Sequence, residues 1–139
     1  GIAPFRAFMK HIYEERGEWE GRIRLFYGAR TGMELLYMNN VRKDLSLYYD
    51  EETFKAFEAL SPRPHFDEPP DMERILSENA KDIWDLIQDP LTYVYVAGLS
   101  DVARNLRKVM IAAAGSTEAW NAEYTRLVQE GRYAELLYE

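Results

Sequence analysis

The sequence predicts an α/β domain in which helices cover both faces of a doubly wound parallel sheet. Two observations lead to this fold class. Short β-rich runs alternate with segments whose apolar residues recur at helical spacing, and this alternation is typical of parallel sheets. The 139 residues suffice for one domain with its own core, and the hydrophobic fraction of 47% argues against a disordered chain.

The amino-terminal segment is predicted to be a helix. Pro4 suits the first helical position, where its missing N–H carries no cost, and Gly17 follows the last turn. The apolar residues of this segment fall on one stripe: Phe5, Phe8, Met9, Ile12 and Tyr13. A strand over residues 22–27 follows and is closed by Gly28, and residues 33–41 are predicted to be helical.

The middle of the chain is predicted to contain a second strand, a long loop and a long helix. The strand covers residues 54–60, although the spacing of their apolar residues also fits a helix. Residues 61–70 hold four of the six prolines and predict an ordered loop. Residues 72–88 are predicted to form a single helix.

The rest of the chain continues the alternation. The β-branched run over residues 92–97 predicts a third strand. Helices follow over residues 100–114 and 116–130, each capped by the serine with which the range begins. Gly131 is expected at the C′ position of the second of these helices, and residues 132–139 contain a last short strand.

Charge and composition argue against several classes of function. The net charge of −7 disfavours nonspecific nucleic-acid binding, which needs a cationic surface. The absence of cysteine removes disulfides, thiolate catalysis and zinc–thiolate sites, and two histidines are too few for a three-histidine metal site. No apolar run approaches the roughly 20 residues of a membrane span, and the charged, helical start is not a signal peptide. We therefore expect a cytoplasmic protein with no bound metal.

A ligand site is expected at the carboxyl ends of the strands, where open parallel sheets bind their ligands. Three predicted loops lie there, over residues 28–32, 61–64 and 98–101, and the helix start at residues 1–4 joins them. Free N–H groups and the helix dipole at that start favour an anion such as a diphosphate. A glycine before a helix is also common without a ligand, so the residues alone leave both interpretations open.

Five segments, in order along the chain, match known motifs. GIAPFRAF at residues 1–8 matches the end of the motif GTGIAPFR, and LFYGAR at residues 25–30 matches LFYGCR. Ser61 stands where a third strand ends in Ser-Arg, TYVYVAGL at residues 92–99 resembles TYVYxCGL, and GRYAELLY at residues 131–138 is similar to a closing segment that ends in Tyr or Trp. Together these segments resemble the ferredoxin–NADP reductase-like flavoproteins.

This resemblance implies a Rossmann-like module, over residues 1–139, that binds a pyridine nucleotide. In the family, the module follows a β-barrel domain that holds FAD. NADPH gives a hydride to the flavin, and single electrons then pass to ferredoxin or another iron–sulfur partner. Residues 44–60 and the SPRP loop at residues 61–64 are most similar to reductase components of bacterial aromatic-CoA oxygenation, of the benzoyl-CoA epoxidase reductase type. That likeness implies an oxygenase component as the electron acceptor.

The resemblance also assigns residues to the nucleotide's phosphates. The diphosphate turn would comprise Gly1, Ile2, Ala3 and Pro4, with Phe5 and Arg6 building the pocket around it. Gly28 would let the nucleotide approach the backbone, and Arg30 would meet the diphosphate or the 2′-phosphate, its alternative being a solvated surface arginine. Ser61 and Arg63 would hold the 2′-phosphate, which favours NADPH over NADH, although Pro62 separates them where the family has Ser-Arg.

The nicotinamide end is assigned in the same way. Gly98 and Leu99 would line the nicotinamide site, and Tyr138 would stack on the flavin ring and move aside for the nicotinamide. The alternative for Tyr138 is a tyrosine packed on the last strand. Ala97 stands where many members have cysteine, and Ala103 where plant-type members have glutamate. Neither change removes a required group, because hydride transfer depends chiefly on distance and alignment.

The family's first strand and the Gly-Thr before Gly1 have no counterpart in these residues. We therefore expect a fragment with two exposed sheet edges, without flavin or turnover of its own. Three alternatives remain: a non-catalytic nucleotide-binding or docking module, an NADH-specific reductase domain, and a flavodoxin-like domain. A retained terminal aromatic argues against the docking module, because it is useful only with a flavin to cover.

Overall fold

The computed structural model of the chain describes residues 3–15, 21–29, 54–60 and 72–138. Its elements are, in order, α1 (Ala3–Glu15), β1 (Ile23–Ala29), β2 (Phe54–Leu60), α2 (Met72–Glu78), α3 (Ala80–Ile87), β3 (Val94–Leu99), α4 (Ser100–Ala114), α5 (Thr117–Gln129) and β4 (Tyr133–Tyr138). The strands pair in parallel and helices lie between them along the chain, so the α/β class is confirmed. The chain divides into two compact units, residues 1–72 and 73–139. The helix expected over residues 33–41 lies outside the described residues.

The first unit contains α1 and a parallel pair of strands. β1 and β2 pair in register over their full lengths. This pairing confirms residues 54–60 as a strand, because backbone bonds to β1 decide between two conformations that the local spacing allows equally. In α1, Met9 and Ile12 are buried whereas Phe8 is about half exposed, so the expected apolar stripe is only partly covered.

The second unit is built on a second parallel pair, β3 and β4. These strands are in register from Val94 with Tyr133 to Leu99 with Tyr138. Parallel neighbours need a long connection, which α4 and α5 supply. Within the described residues the strands form these two two-stranded sheets. Parallel pairing is therefore confirmed, and a single doubly wound sheet stays a prediction.

The core of the second unit surrounds α4, which contacts α3, α5 and both strands. Met110 of α4 and Leu127 of α5 are completely enclosed. A row of aromatic rings is formed by Trp84, Trp120, Tyr124 and Tyr133, with successive centroids 6.4, 5.7 and 4.9 Å apart. Burial of each large side chain contributes about 1.5–3 kcal/mol. No helix in the four described ranges has both the length and the apolar character of a membrane span.

The single helix expected over residues 72–88 is two helices, α2 and α3, and the prediction was wrong at Asn79. The side-chain amide of Asn79 donates to the Ile75 carbonyl oxygen at 2.9 Å. In a continuous helix that oxygen would accept from the backbone N–H of Asn79, which here bonds instead to the Leu76 carbonyl at 3.2 Å. Asn79 therefore replaces its own backbone bond with a side-chain bond, the competition typical of asparagine.

Of the three helix ends predicted after β3, the structure confirms two. Ser116 caps α5, since its Oγ accepts from the backbone N–H of Ala119 at 3.0 Å. Gly131 follows α5 with φ +68°, which confirms the C′ glycine. The cap expected at Ser100 was wrong, because β3 runs to Leu99 instead of ending at residue 97. Leu99 therefore occupies the N-cap position, and Ser100 is already helical.

Candidate functional site

The carboxyl ends of β3 and β4 bring together the residues expected at the nicotinamide end. Leu99 is the ladder partner of Tyr138, and Ala97 is the partner of Leu136. Aligned residues of neighbouring strands point to the same face of a sheet, so these four side chains share one face. Leu99 and Tyr138 are 45% and 52% exposed. A leucine and a tyrosine thus stand side by side, and open to approach, at the end of the sheet.

Gly98 supports this site through its backbone. Its φ of +139° is a conformation that side-chain-bearing residues rarely adopt. A Cβ at this position would lie 3.5 Å from a methyl group of Val102, which is an ordinary contact. The requirement for glycine therefore comes from the backbone angle and not from crowding.

The loop expected over residues 98–101 is not a loop. Gly98 and Leu99 are the last residues of β3, and α4 begins at once with Ser100. Among the described residues, no side chain caps the amino end of α4. Because β3 passes directly into α4, Gly98 and Leu99 lie between two hydrogen-bonded elements. The site is therefore built on a strand and a helix and not on a loop.

The exposed face of β3 and β4 is strongly apolar. Its large side chains are 45–64% exposed and are contributed by Tyr93, Tyr95, Leu99, Leu136 and Tyr138. The opposite face carries Val96, which is buried, and packs on the helices. A row of exposed aromatic and aliphatic groups of this kind is typical of a surface that receives a planar ligand or another domain.

The phosphate end of the expected site is described in part. α1 begins at Ala3, followed by Pro4 and Phe5, and no acidic residue lies in its first turn. Gly28 does not close its strand as expected; it lies within β1, one residue before the end, opposite Ala59. Five other residues assigned to the nucleotide lie outside the described part of the chain, namely Gly1, Ile2, Arg30, Ser61 and Arg63.

The structure adds two polar features that the sequence did not indicate. Arg132, between α5 and β4, is a buried charged residue with 4% of its surface exposed. Tyr133, one residue further on, donates its hydroxyl to Glu135 Oε1 at 2.6 Å, and burial raises the pKa of Tyr133 well above its ordinary value of 10.0. No pattern of spacing marks either residue in the segment GRYAELLY. In the described ranges, no three His, Asp or Glu side chains are grouped so that they could hold a metal ion.

Known proteins resemble this chain over nearly all of its length. Residues 1–108 match the family model of the oxidoreductase NAD-binding domain. Ferredoxin–NADP reductase of Spirulina sp. is 32% identical over 133 residues, 91% of this chain and 44% of the relative. The cyanelle ferredoxin–NADP reductase of Cyanophora paradoxa is 31% identical over 141 residues, 96% of this chain and 38% of the relative. The chloroplastic leaf isozyme 1 of Arabidopsis thaliana is 27% identical, covering 88% of this chain and 39% of the relative.

The chain spans less than half the length of each of these curated relatives. The family model covers the first four of the five motif segments, and the relatives extend the likeness to most of the rest. The resemblance found in the sequence is therefore confirmed, and the chain belongs to the family of oxidoreductase NAD-binding domains, in the form found in ferredoxin–NADP reductase-like proteins.

Proposed function

We propose that this chain is the pyridine-nucleotide-binding module of a flavoprotein oxidoreductase that uses NADPH and contains an FAD domain in the same polypeptide. One observation carries the proposal: Leu99 and Tyr138 stand side by side next to Gly98 at the carboxyl ends of β3 and β4. Family membership supports a nucleotide at this edge. The relatives are ferredoxin–NADP reductases by name, which supports NADP as the nucleotide and ferredoxin or a similar iron–sulfur protein as the acceptor.

The described residues fit planar conjugated rings. Gly98 offers backbone without a side chain, Ala97 is small, and Tyr138 offers an exposed aromatic ring that can stack on a flat heterocycle. When bound, NADPH supplies a hydride that FAD accepts, and FAD releases single electrons to the acceptor. The protein's part is to bind and orient these groups and to keep water away from them.

Three residues of this chain would act at the ring end. Tyr138 would cover the flavin face in the resting protein and leave it when nicotinamide enters. Leu99 would hold the tyrosine ring from the neighbouring strand and exclude water beside it. Gly98 would let the nicotinamide approach the backbone at the end of β3. None of these roles requires a titrating side chain, since the arrangement works through distance and alignment.

For the phosphates we propose the residues that the resemblance assigns. The start of α1, with residues Gly1, Ile2, Ala3, Pro4 and Phe5, would hold the diphosphate through its free N–H groups, and the absence of acidic residues in its first turn suits an anion. Gly28 and Arg30 would meet the diphosphate from the end of β1, and Ser61 and Arg63 would hold the 2′-phosphate after β2.

Calorimetric titration of the full-length protein with 2′-phospho-AMP and with AMP tests this proposal. We expect a preference for the phosphorylated ligand that is lost in Arg30→Ala or in Arg63→Ala. Arg22→Ala is the matched control, because Arg22 is an exposed arginine at the opposite, amino end of β1. Equal affinity for the two ligands would favour an NADH-specific reductase and would leave Ser61 and Arg63 as loop residues.

Failure to bind either nucleotide would favour a docking module that has kept the fold without the cofactor. The identity of the acceptor needs a separate assay, namely the rate at which the protein reduces ferredoxin or an iron–sulfur oxygenase component with NADPH. Fast reduction of the oxygenase component alone would support the closer likeness to aromatic-CoA oxygenation.

A further inference from the structure

Arg132 connects two parts of the second unit through its side chain, the connection between α3 and β3 and the carboxyl end of α5. Nη1 donates to the carbonyl oxygens of Thr92 at 2.6 Å and of Asp89 at 3.3 Å, in the connection between α3 and β3. Nε donates to Glu130 Oε2 at 2.7 Å, at the end of α5. Nη2 lies within 2.7 Å of the same oxygen as an ion pair, but it has no acceptor with hydrogen-bond geometry. The guanidinium thus ties the entry of β3 to the exit of α5.

The backbone of Arg132 occupies the same junction. Its N–H donates to the Leu127 carbonyl at 2.8 Å, which closes α5. Its carbonyl accepts from the N–H of Val94 at 2.8 Å, the bond that starts the ladder between β3 and β4. The residue therefore stands at the point where the register of β4 against β3 is set.

Most of β4 contributes little to that register. Ala134, Glu135, Leu136 and Tyr138 are exposed, so a shifted strand would lose little buried surface at these positions. An exception is Tyr133, whose ring packs edge-to-face on Tyr124, so the anchors of the register lie at the start of the strand, at Arg132 and Tyr133. A shift of one residue would turn Tyr138 to the other face of the sheet. A shift of two would move it along β3 by about 6.6 Å at roughly 3.3 Å per residue. Either shift would separate Tyr138 from Leu99.

Stability alone does not explain a charge at this place. Burying a guanidinium costs free energy, and an apolar side chain of similar volume can replace a buried ion pair without loss. Glu130, its charged partner, is 45% exposed, which weakens the pair further. Directional bonds to two carbonyl oxygens and a carboxylate, in contrast, admit only one alignment of the groups that they connect.

We infer that Arg132 is a positioning residue for Tyr138, which fixes the register of β4 and thereby holds the tyrosine beside Leu99. The inference concerns the register in the first place. Its effect on nucleotide binding rests on the proposed function, in which the ring of Tyr138 covers the place that nicotinamide enters.

Register is tested in the full-length protein by two measurements on Arg132→Met and Arg132→Lys. The first is the nuclear Overhauser contact between the Leu99 methyl groups and the Tyr138 ring, and the second is hydrogen exchange of the amides of β4. We expect both variants to lose the contact and the protection of β4 while the amides of α4 and α5 keep theirs. Lysine should not rescue, because an ammonium group cannot reproduce the planar fork.

Arg126→Met is the matched control. Arg126 is partly exposed, donates to the Gln88 carbonyl after α3 at 3.3 Å, and pairs with Glu130 at 3.7 Å, the carboxylate that Arg132 also binds. Among the described residues, its side chain makes no hydrogen bond to residues 89–99 or to β4, so it shares the carboxylate of Arg132 but not the bonds at the start of the ladder. We expect this variant to keep both the contact and the protection of β4. Retention of the Leu99–Tyr138 contact in both Arg132 variants, or a loss of protection throughout α4 and α5 in both, would overturn the inference.

Nucleotide affinity separates positioning from general damage. A Tyr138 that no longer covers the ring site should let NADP⁺ bind more tightly, by up to about tenfold from the roughly 0.5–1.5 kcal/mol of one aromatic stack. Arg132→Met should therefore bind NADP⁺ more tightly than the unmodified protein, and adding Tyr138→Ala should bring no further gain. If the two substitutions raised the affinity for NADP⁺ independently, so that their effects added in the double variant, Arg132 would not act through Tyr138. If Arg132→Met loses the register but binds NADP⁺ with unchanged affinity, the inference that Arg132 positions Tyr138 stands. The proposed role of the Tyr138 ring in nucleotide binding would then be refuted.

Discussion

Leu99 and Tyr138 are ladder partners at the carboxyl ends of two parallel strands, and about half of each side chain is exposed. Because a half-exposed leucine and a half-exposed tyrosine are neighbours here, this end of the sheet presents an apolar surface at the edge where parallel sheets bind ligands.

Tyr138→Ala should raise the affinity of the full-length protein for NADP⁺ by up to about tenfold, because the nicotinamide no longer has to displace a stacked ring worth roughly 0.5–1.5 kcal/mol. Tyr138→Phe, which keeps the ring, should bind as the unmodified protein does. Calorimetric titration measures both. Equal affinity in all three proteins would favour the alternative of a tyrosine that simply packs on the last strand.

Gly98→Ala should destabilise the end of β3 by about 1–3 kcal/mol, because alanine is strained at a φ of +139°. Hydrogen exchange of the β3 and β4 amides reports this loss. Adding Val102→Ala is the control: the nearest contact of the new Cβ, at 3.5 Å, is not crowded, so the second change should restore nothing. Recovery in the double variant would show that crowding, and not the backbone angle, requires glycine.

Ser116→Ala should cost the amino end of α5 about 1 kcal/mol, since it removes the acceptor of the Ala119 N–H. Ser116→Asp provides another acceptor and should remain close to the unmodified protein. Exchange rates of the first amides of α5 measure the difference. If alanine and aspartate behaved alike, the bond from Ala119 would contribute nothing to the helix end.

The second unit should lose stability at high pH through Tyr133. Burial raises the pKa of Tyr133 in the folded protein above its ordinary value of 10.0, and its bond to Glu135 acts in the same direction. This contribution is complete below pH 10 and falls as the pH rises further, because the unfolded chain then releases a proton that the folded chain keeps. The free energy of unfolding of the second unit should fall with a slope that approaches about 1.4 kcal/mol per pH unit.

Hydrogen exchange between pH 9 and 11, corrected for the intrinsic exchange rate, follows this loss, and Tyr133→Phe supplies the control. Phenylalanine keeps the edge-to-face contact with the ring of Tyr124 but has no proton to release. The difference in local stability between the two proteins should therefore grow with pH above 10. A constant difference would mean that Tyr133 titrates alike in the folded and unfolded chains.

Local signals were sufficient for most of the second unit. The β-branched run before Gly98, the serine at the start of α5 and the glycine after it each act on their own backbone, and the structure confirms all three. The parallel direction of the strands also followed from the order of elements, because strands linked by helices run parallel. That order does not predict which strands are neighbours, so the pairing of Leu99 with Tyr138 is known only from the structure.

Features that depend on groups far apart in the sequence, or on a single side-chain hydrogen bond, could not be predicted from the sequence. Asn79 lies four residues from both Ile75 and Ile83, so it continues the apolar stripe, and only its bond to a carbonyl oxygen ends α2. Arg132 looks like any polar residue between two elements. Its partners at Asp89 and Thr92 come from a different part of the sequence, and no periodicity connects them.

The parallel pairing of β3 with β4 also constrains the order in which this protein folds. The two strands are separated in the chain by the whole of α4 and α5, so their ladder closes a long loop and gives the second unit contacts of large sequence separation. Local helices form faster than such contacts. The edge that carries Leu99 and Tyr138 is therefore expected to form after α4 and α5, as the last step in the folding of the second unit.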